Sequence, residues 1–215
     1  MDNSLLANMA IAVLPLIFAI TLHEAAHAYV ARYFGDDTAA RQGRITLNPL
    51  PHVDPIGTLL LPAGLFLLSG GMFAFGYAKP VPVDFSRLRR PKQDMFWVAA
   101  AGPFANLLMA IAWALLHKLM FHIPVNPYYT QALVSMCLFG ATFNVLLMLL
   151  NLLPLPPLDG GRIVVSLLPL RQAIAFSRIE PYGMLILIFL LVTNLLSALL
   201  EPMIRFCLLL LQPFL

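Results

Sequence analysis

Charge is scarce in this chain. Only 11% of its 215 residues are Asp, Glu, Lys or Arg, against roughly a quarter in an ordinary soluble domain, and that shortage excludes a soluble enzyme or a disordered chain. A disulfide framework is excluded as well. The two cysteines, Cys137 and Cys207, lie far apart in separate apolar runs with no CxxC spacing. A basic stripe is also missing, because 13 Lys and Arg residues are spread thinly to give a net charge of +3. The chain therefore has no nucleic-acid surface, and its cations suit loops beside anionic lipid. The N-terminal apolar run has Asp2 where a basic region would precede a cleaved secretory signal, so it is expected to remain as a helix. What is abundant is hydrocarbon: 60% of the residues are hydrophobic, a composition made for the lipid bilayer.

A crossing needs about 20 mostly apolar residues. Uncharged runs cover residues 4–22 (continuing helically through 31), 56–78, 95–116, 119–158 (crossing mainly over 132–153) and 182–200, while 206–215 is too short to cross alone. The 56–78 run is punctuated by Pro62, Gly64, Gly70, Gly71 and Gly76, too heavily for one straight helix. Lys79, Arg87, Arg89, Arg90 and Lys92 outnumber Asp84 and Asp94, whereas residues 117–131 hold one formal cation, Lys118. By the positive-inside rule the first of these loops is cytoplasmic and the second lies outside; Arg162, Arg171 and Arg178 also place the segment after Asp159 inside. With both flanks cytoplasmic, 56–78 must be re-entrant and buried against protein. The expected fold is an all-α polytopic membrane bundle of four to six segments, one of them re-entrant, with short β-like cytoplasmic elements. Residues 1–215 are expected to form one integral-membrane domain.

Chemistry concentrates where the first helix ends, in His23-Glu24-Ala25-Ala26-His27. Residues four apart share a helix face, so both imidazoles can grip one metal ion with Glu24 beside them. Ionisable groups at the inner end of an apolar helix are expensive in lipid and mark a functional site facing protein. A catalytic zinc site needs a third protein ligand and an open fourth position. Asp159 is the best candidate. It follows Pro154, Pro156 and Pro157, which stop the preceding helix, and precedes Gly160 and Gly161, which let backbone approach closely. For Asp159 to reach the two histidines, the first and fourth helices must end on the same membrane face, and only a re-entrant 56–78 run satisfies that count.

Three patches together, His23 to His27, Gly102-Pro103-Phe104-Ala105-Asn106, and Asn151 through Gly161 around Leu158-Asp159-Gly160, give the chain its likeness. It resembles the site-2 protease family of intramembrane zinc metalloproteases, in a compact form that also shares Asn48-Pro49-Leu50-Pro51-His52-Val53-Asp54-Pro55. The resemblance implies one Zn2+ held by His23, His27 and Asp159, with Glu24 as catalytic base. It implies a transmembrane segment of another membrane protein as substrate, and location in a prokaryotic cell (inner) membrane with the zinc toward the cytoplasm. No loop is long enough to hold a PDZ domain, which needs at least about 50 residues.

Some polar residues leave their roles open. Asn106 and Asn151 sit in or at the end of apolar helices, where an amide needs partners; they could orient ligands, bind substrate backbone or assist an oxyanion. Asn144 reads as structural. His52 and Asp54, between prolines, could support the metal, gate it or ligate it transiently. Arg44-Ile45-Thr46-Leu47 is a short β-like candidate for docking an extended substrate. A different class of function, a metal or small-solute transporter using the buried His/Asp cluster, is disfavoured by Glu24, which transit does not require.

Overall fold

Long apolar runs in this chain become long helices, because in hydrocarbon a helix is the one single-chain way to satisfy every backbone N–H and C=O. The structure, a computed structural model, describes residues 3–52, 54–60, 64, 79–122 and 127–214. Helix α1 spans Asn3–Tyr33, α2 is a single turn at Thr38–Arg41, α3 spans Pro91–Met120 and α4 spans Pro127–Asn151. Four shorter helices follow: α5 (Asp159–Leu167), α6 (Leu170–Ser177), α7 (Glu180–Val192) and α8 (Leu195–Leu211). Segments Ile11–Tyr33, Pro91–Met120, Thr130–Asn151 and Leu195–Phe214 are long and apolar enough to cross a membrane, and the α6–α7 pair, bent by 58°, would be a fifth crossing if it acts as one span. Large side chains such as Phe18, Leu108, Leu185 and Phe206 point outward. In water that surface would be a liability, and in lipid it is the ordinary exterior.

The helices pack as antiparallel neighbours. Val98 of α3 meets His27 of α1, while Asn106, two turns further along α3, meets Ala19, two turns earlier in α1. Asn106 in turn meets Asn144 of α4. The apolar core lies beyond these polar contacts, built from Ala110 of α3, Val145, Met148 and Leu149 of α4, and Leu187, Leu196, Leu200 and Leu211 of α7 and α8. A polar layer toward one end and a dry core toward the other set the site's position in the bundle.

Two expectations need correction. Arg44 to Leu47 forms no strand, and none occurs among the described residues. Its polar groups are consumed locally: the Asn48 N–H donates to Thr46 Oγ1, and Arg44 donates to the carbonyls of Lys79 and Pro80. The 182–200 run is not one helix either. Asn194 adopts a left-handed backbone (φ 59°) and Thr193 Oγ1 donates back to the Phe189 carbonyl, so α7 stops at Val192 and α8 begins at Leu195. The residues at 206–214, too few to cross alone, thereby become the second half of a membrane-length helix.

Most of the 56–78 run lies outside the described residues; of it, residues 56–60 belong to a π-helical turn at Pro55–Leu60. Its flanks are informative. The Lys79 N–H donates to the His52 carbonyl at 3.0 Å, so the two flanks meet.

The proline-rich exit of α4 packs against α7. A Cβ built on Gly183 would collide with the Pro156 carbonyl oxygen and lie 2.7 Å from Pro157 Cδ. Gly183→Ala is expected to destabilise the fold by about 1–3 kcal/mol, read as a lowered Tm in detergent.

Candidate metal centre

His23 and His27 stand on α1 roughly 15 Å and 9 Å of helix before its end at Tyr33. Both are therefore sunk below the end of a membrane-length helix. Asp159 comes from the opposite half of the chain. It opens α5, whose preceding loop folds back so tightly that a Cβ on Gly160 would strike the Leu152 and Leu153 carbonyls, and one on Gly161 would strike Pro156. The glycine pair is thus required by backbone-on-backbone packing, and that packing aims Asp159 at α1.

Three ligand atoms meet there. His23 Nε2 lies 3.2 Å and His27 Nε2 3.3 Å from Asp159 Oδ2, and the two nitrogens are 3.1 Å apart. Ligands about 2.0–2.1 Å from a tetrahedral zinc are separated from one another by about 3.4 Å. The triangle has the size that a zinc ion demands.

The protons agree with this. The other nitrogen of His27, Nδ1, is 2.7 Å from the Val98 carbonyl, which can only accept, so Nδ1 carries the hydrogen and Nε2 offers its lone pair. His23 is set by a longer chain of the same logic. Asn106 Nδ2 donates to the Ala19 carbonyl at 3.3 Å and to Asn144 Oδ1 at 2.9 Å, and Asn144 Nδ2 donates to the Gly140 carbonyl at 2.8 Å. Two acceptor-only carbonyls fix both amides, which leaves Asn106 Oδ1 to accept from His23 Nδ1–H at 2.6 Å. Lone pairs on both imidazoles consequently face the Asp159 oxygen, which is buried and has no hydrogen-bond donor. Three electron-rich atoms pointed at one another in a low-dielectric interior repel unless a cation lies between them. The donor set fits a divalent metal.

Space for that cation comes from α3. A Cβ on Gly102 would sit 2.5 Å from His23 Cε1 and 2.6 Å from His23 Nε2, and would also collide with His27 Nε2. Gly102 therefore keeps the inner face of the site open. Its proximity to both imidazoles follows from the crossing of α1 and α3. Pro103 next to it has no N–H to donate to the Ala99 carbonyl one turn earlier.

Glu24 is adjacent. Its Oε2 accepts from the Val81 backbone N–H at 2.7 Å, a partner that spacing along the sequence did not reveal. The remaining candidates divide. Asn106 is at the centre, oriented toward His23, and Asn144 belongs to the same hydrogen-bonded chain. Asn151 Nδ2 instead donates to the Leu147 carbonyl of its own helix. Buried His52 has Nε2 3.2 Å from the Thr46 carbonyl, and Asp54 Oδ1 accepts from the Ile56 and Gly57 N–H groups. These contacts shape the loop before the 56–78 run.

Comparison with known proteins bears on this geometry. The sequence pattern of Peptidase family M50 matches residues 117–194. YwhC of Bacillus subtilis, named as a zinc metalloprotease, is 40% identical over 202 residues, covering 93% of this chain and 88% of the relative. Two proteins named Rip2, also as zinc metalloproteases, are each 33% identical. The one from Mycolicibacterium smegmatis aligns over 82% of this chain and 64% of its own length, and one from Mycobacterium tuberculosis over 67% and 52%. This chain belongs to the site-2 protease family, Peptidase family M50. It is an integral membrane zinc metalloprotease, and Zn2+ is its cofactor. No solved structure matches it at a significant level.

Two outcomes are expected. Gly102→Ala should lower the zinc content of the purified protein to well below one ion per chain by elemental analysis, with helicity unchanged. Asn106→Leu, which removes the acceptor for His23 Nδ1–H, should weaken zinc affinity about 10–100-fold in chelator competition.

Proposed function

We propose that this metalloprotease cuts peptide bonds within or near transmembrane segments of other membrane proteins, with zinc held by His23, His27 and Asp159 and Glu24 as general base. The supporting observation is the ligand triangle itself, three atoms 3.1–3.3 Å apart. Its depth in the bundle bears on the substrate: α1 continues past His23 for about 15 Å. A water-soluble peptide would have to enter the bilayer to reach it, whereas a membrane segment is already at that depth.

Zinc, when bound, polarises the scissile carbonyl and makes a water at the site more acidic. The chain's own residues do the rest. Glu24 takes a proton from the attacking water and passes it to the leaving nitrogen, acting as base and then acid. Asn106 and the Val98 carbonyl hold the imidazoles in the tautomer that leaves both Nε2 atoms unprotonated. A helical substrate hides its carbonyls in intrahelical hydrogen bonds, so the segment must unwind at the cleaved bond, and residues such as glycine or proline there favour cutting. The cations of residues 79–92 lie on the same side as the triangle, consistent with a cytoplasmic site in the cell (inner) membrane.

Reconstitution with a candidate transmembrane substrate in liposomes tests the reading. The zinc-loaded wild type should cleave it, and Glu24→Gln should lose about 10²–10⁴-fold in rate while retaining zinc. Equal cutting by both would overturn the mechanism.

A further inference from the structure

Residues 79–84 form a strap laid across the end of α1, and hydrogen bonds tie it down at several points. The Lys79 N–H donates to the His52 carbonyl at 3.0 Å, and the Asp84 N–H donates to Oδ2 of Asp36, itself fully buried, at 2.8 Å. Buried Arg44 reaches across with Nη2 to the Lys79 carbonyl at 2.9 Å and the Pro80 carbonyl at 3.3 Å. Among the described residues that guanidinium makes no ion pair, so its charge is spent on holding two backbone carbonyls. The Val81 side chain is buried against Ala28, Ala39 and Ile45. Ala28 lies one helical turn beyond Glu24.

The sequence Pro80-Val81-Pro82 matters because proline has no N–H, which leaves Val81 as the single donor in that tripeptide. That donor is the one bonded to Glu24 Oε2, at 2.7 Å. A glutamate side chain has three rotatable bonds, and a general base works only if its oxygen is held in reach of the proton it takes. Anchoring Oε2 leaves Oε1 as the atom that meets water.

We infer that the Val81 backbone N–H is a positioning group for Glu24: the strap, clamped by Arg44, His52 and Asp36, holds one carboxylate oxygen so that the other faces the metal triangle. The inference rests on the reading of Glu24 as the general base. It also accounts for the buried, carbonyl-bound Arg44, which no part of the peptidase mechanism otherwise uses.

Two measurements on the zinc-loaded, full-length protein test it. Replacing Val81 by its α-hydroxy analogue through nonsense suppression removes the N–H and keeps the side chain. The expected result is a fall in kcat of about 10–100-fold with KM and zinc content unchanged, whereas the same ester replacement at Val83, whose N–H bonds neither Glu24 nor the clamping residues, stays within about threefold of wild type. Unchanged kcat in the Val81 ester variant, or an equal loss in the Val83 ester, would overturn the assignment. Amide hydrogen exchange in detergent supplies a readout independent of turnover. Exchange at Val81 should accelerate at least about tenfold in Glu24→Ala, because the acceptor is gone, and an identical rate in both proteins would show the contact to be absent. If the wild type cuts no transmembrane segment, the peptidase reading fails on its own, and hydrogen exchange still decides whether the strap holds Glu24.

Discussion

Everything in this structure is arranged around an electrostatic problem: two imidazole nitrogens and a carboxylate oxygen, all presenting lone pairs, are brought within 3.3 Å of one another inside a membrane-length bundle. Without a cation such a cluster is unfavourable, and in hydrocarbon there is little water to relieve it. Each imidazole is therefore held from behind. The Val98 carbonyl accepts from His27 Nδ1–H, Asn106 Oδ1 accepts from His23 Nδ1–H, and Asn106 is itself locked directly and through Asn144 to backbone carbonyls. A chain of amides that ends on acceptor-only groups has one consistent arrangement of hydrogens, so the tautomer of His23 is decided by helices that carry no metal ligand.

Steric constraint is the complement of that network. The imidazoles leave no room for a methyl group on α3, and the loop before Asp159 leaves none on the first turn of α5. Gly102 makes room for the imidazoles, and Gly160 with Gly161 makes room for the loop that brings Asp159 to them. The same glycines would be weak points in an isolated helix, where each costs about 1 kcal/mol relative to alanine. Here the surrounding packing offsets that cost and lets α1, α3 and α5 approach closely enough to form the triangle.

Beyond the triangle, the protein invests polar contacts in the strap at residues 79–84. Its two prolines cannot contribute N–H groups, and the N–H groups of Lys79, Val81 and Asp84 and the carbonyls of Lys79 and Pro80 are matched to His52, Glu24, Asp36 and Arg44. A loop fastened at this many points beside Glu24 is held as part of the scaffold around the triangle.

Local chemistry was fully legible in the residues. The four-residue interval between His23 and His27 places them on one helix face whatever surrounds them, the proline cluster before Asp159 must end a helix, and the apolar runs must cross or enter the bilayer, because these follow from helix periodicity, proline's missing N–H and the solvation of charge. Where apolar patterning was silent, the reading failed: Thr193 and Asn194 break a run that hydropathy sees as continuous, and residues 44–47 have strand-like composition without a strand to pair with. Contacts between distant segments lay beyond it altogether. That Gly102 faces the imidazoles, that Asn106 rather than Asn151 meets a ligand, and that Val81 supplies a donor to Glu24 were decided by how helices cross and how a loop is clamped, since residues 57 to 83 positions apart are brought within hydrogen-bonding distance only by the packing of the whole bundle.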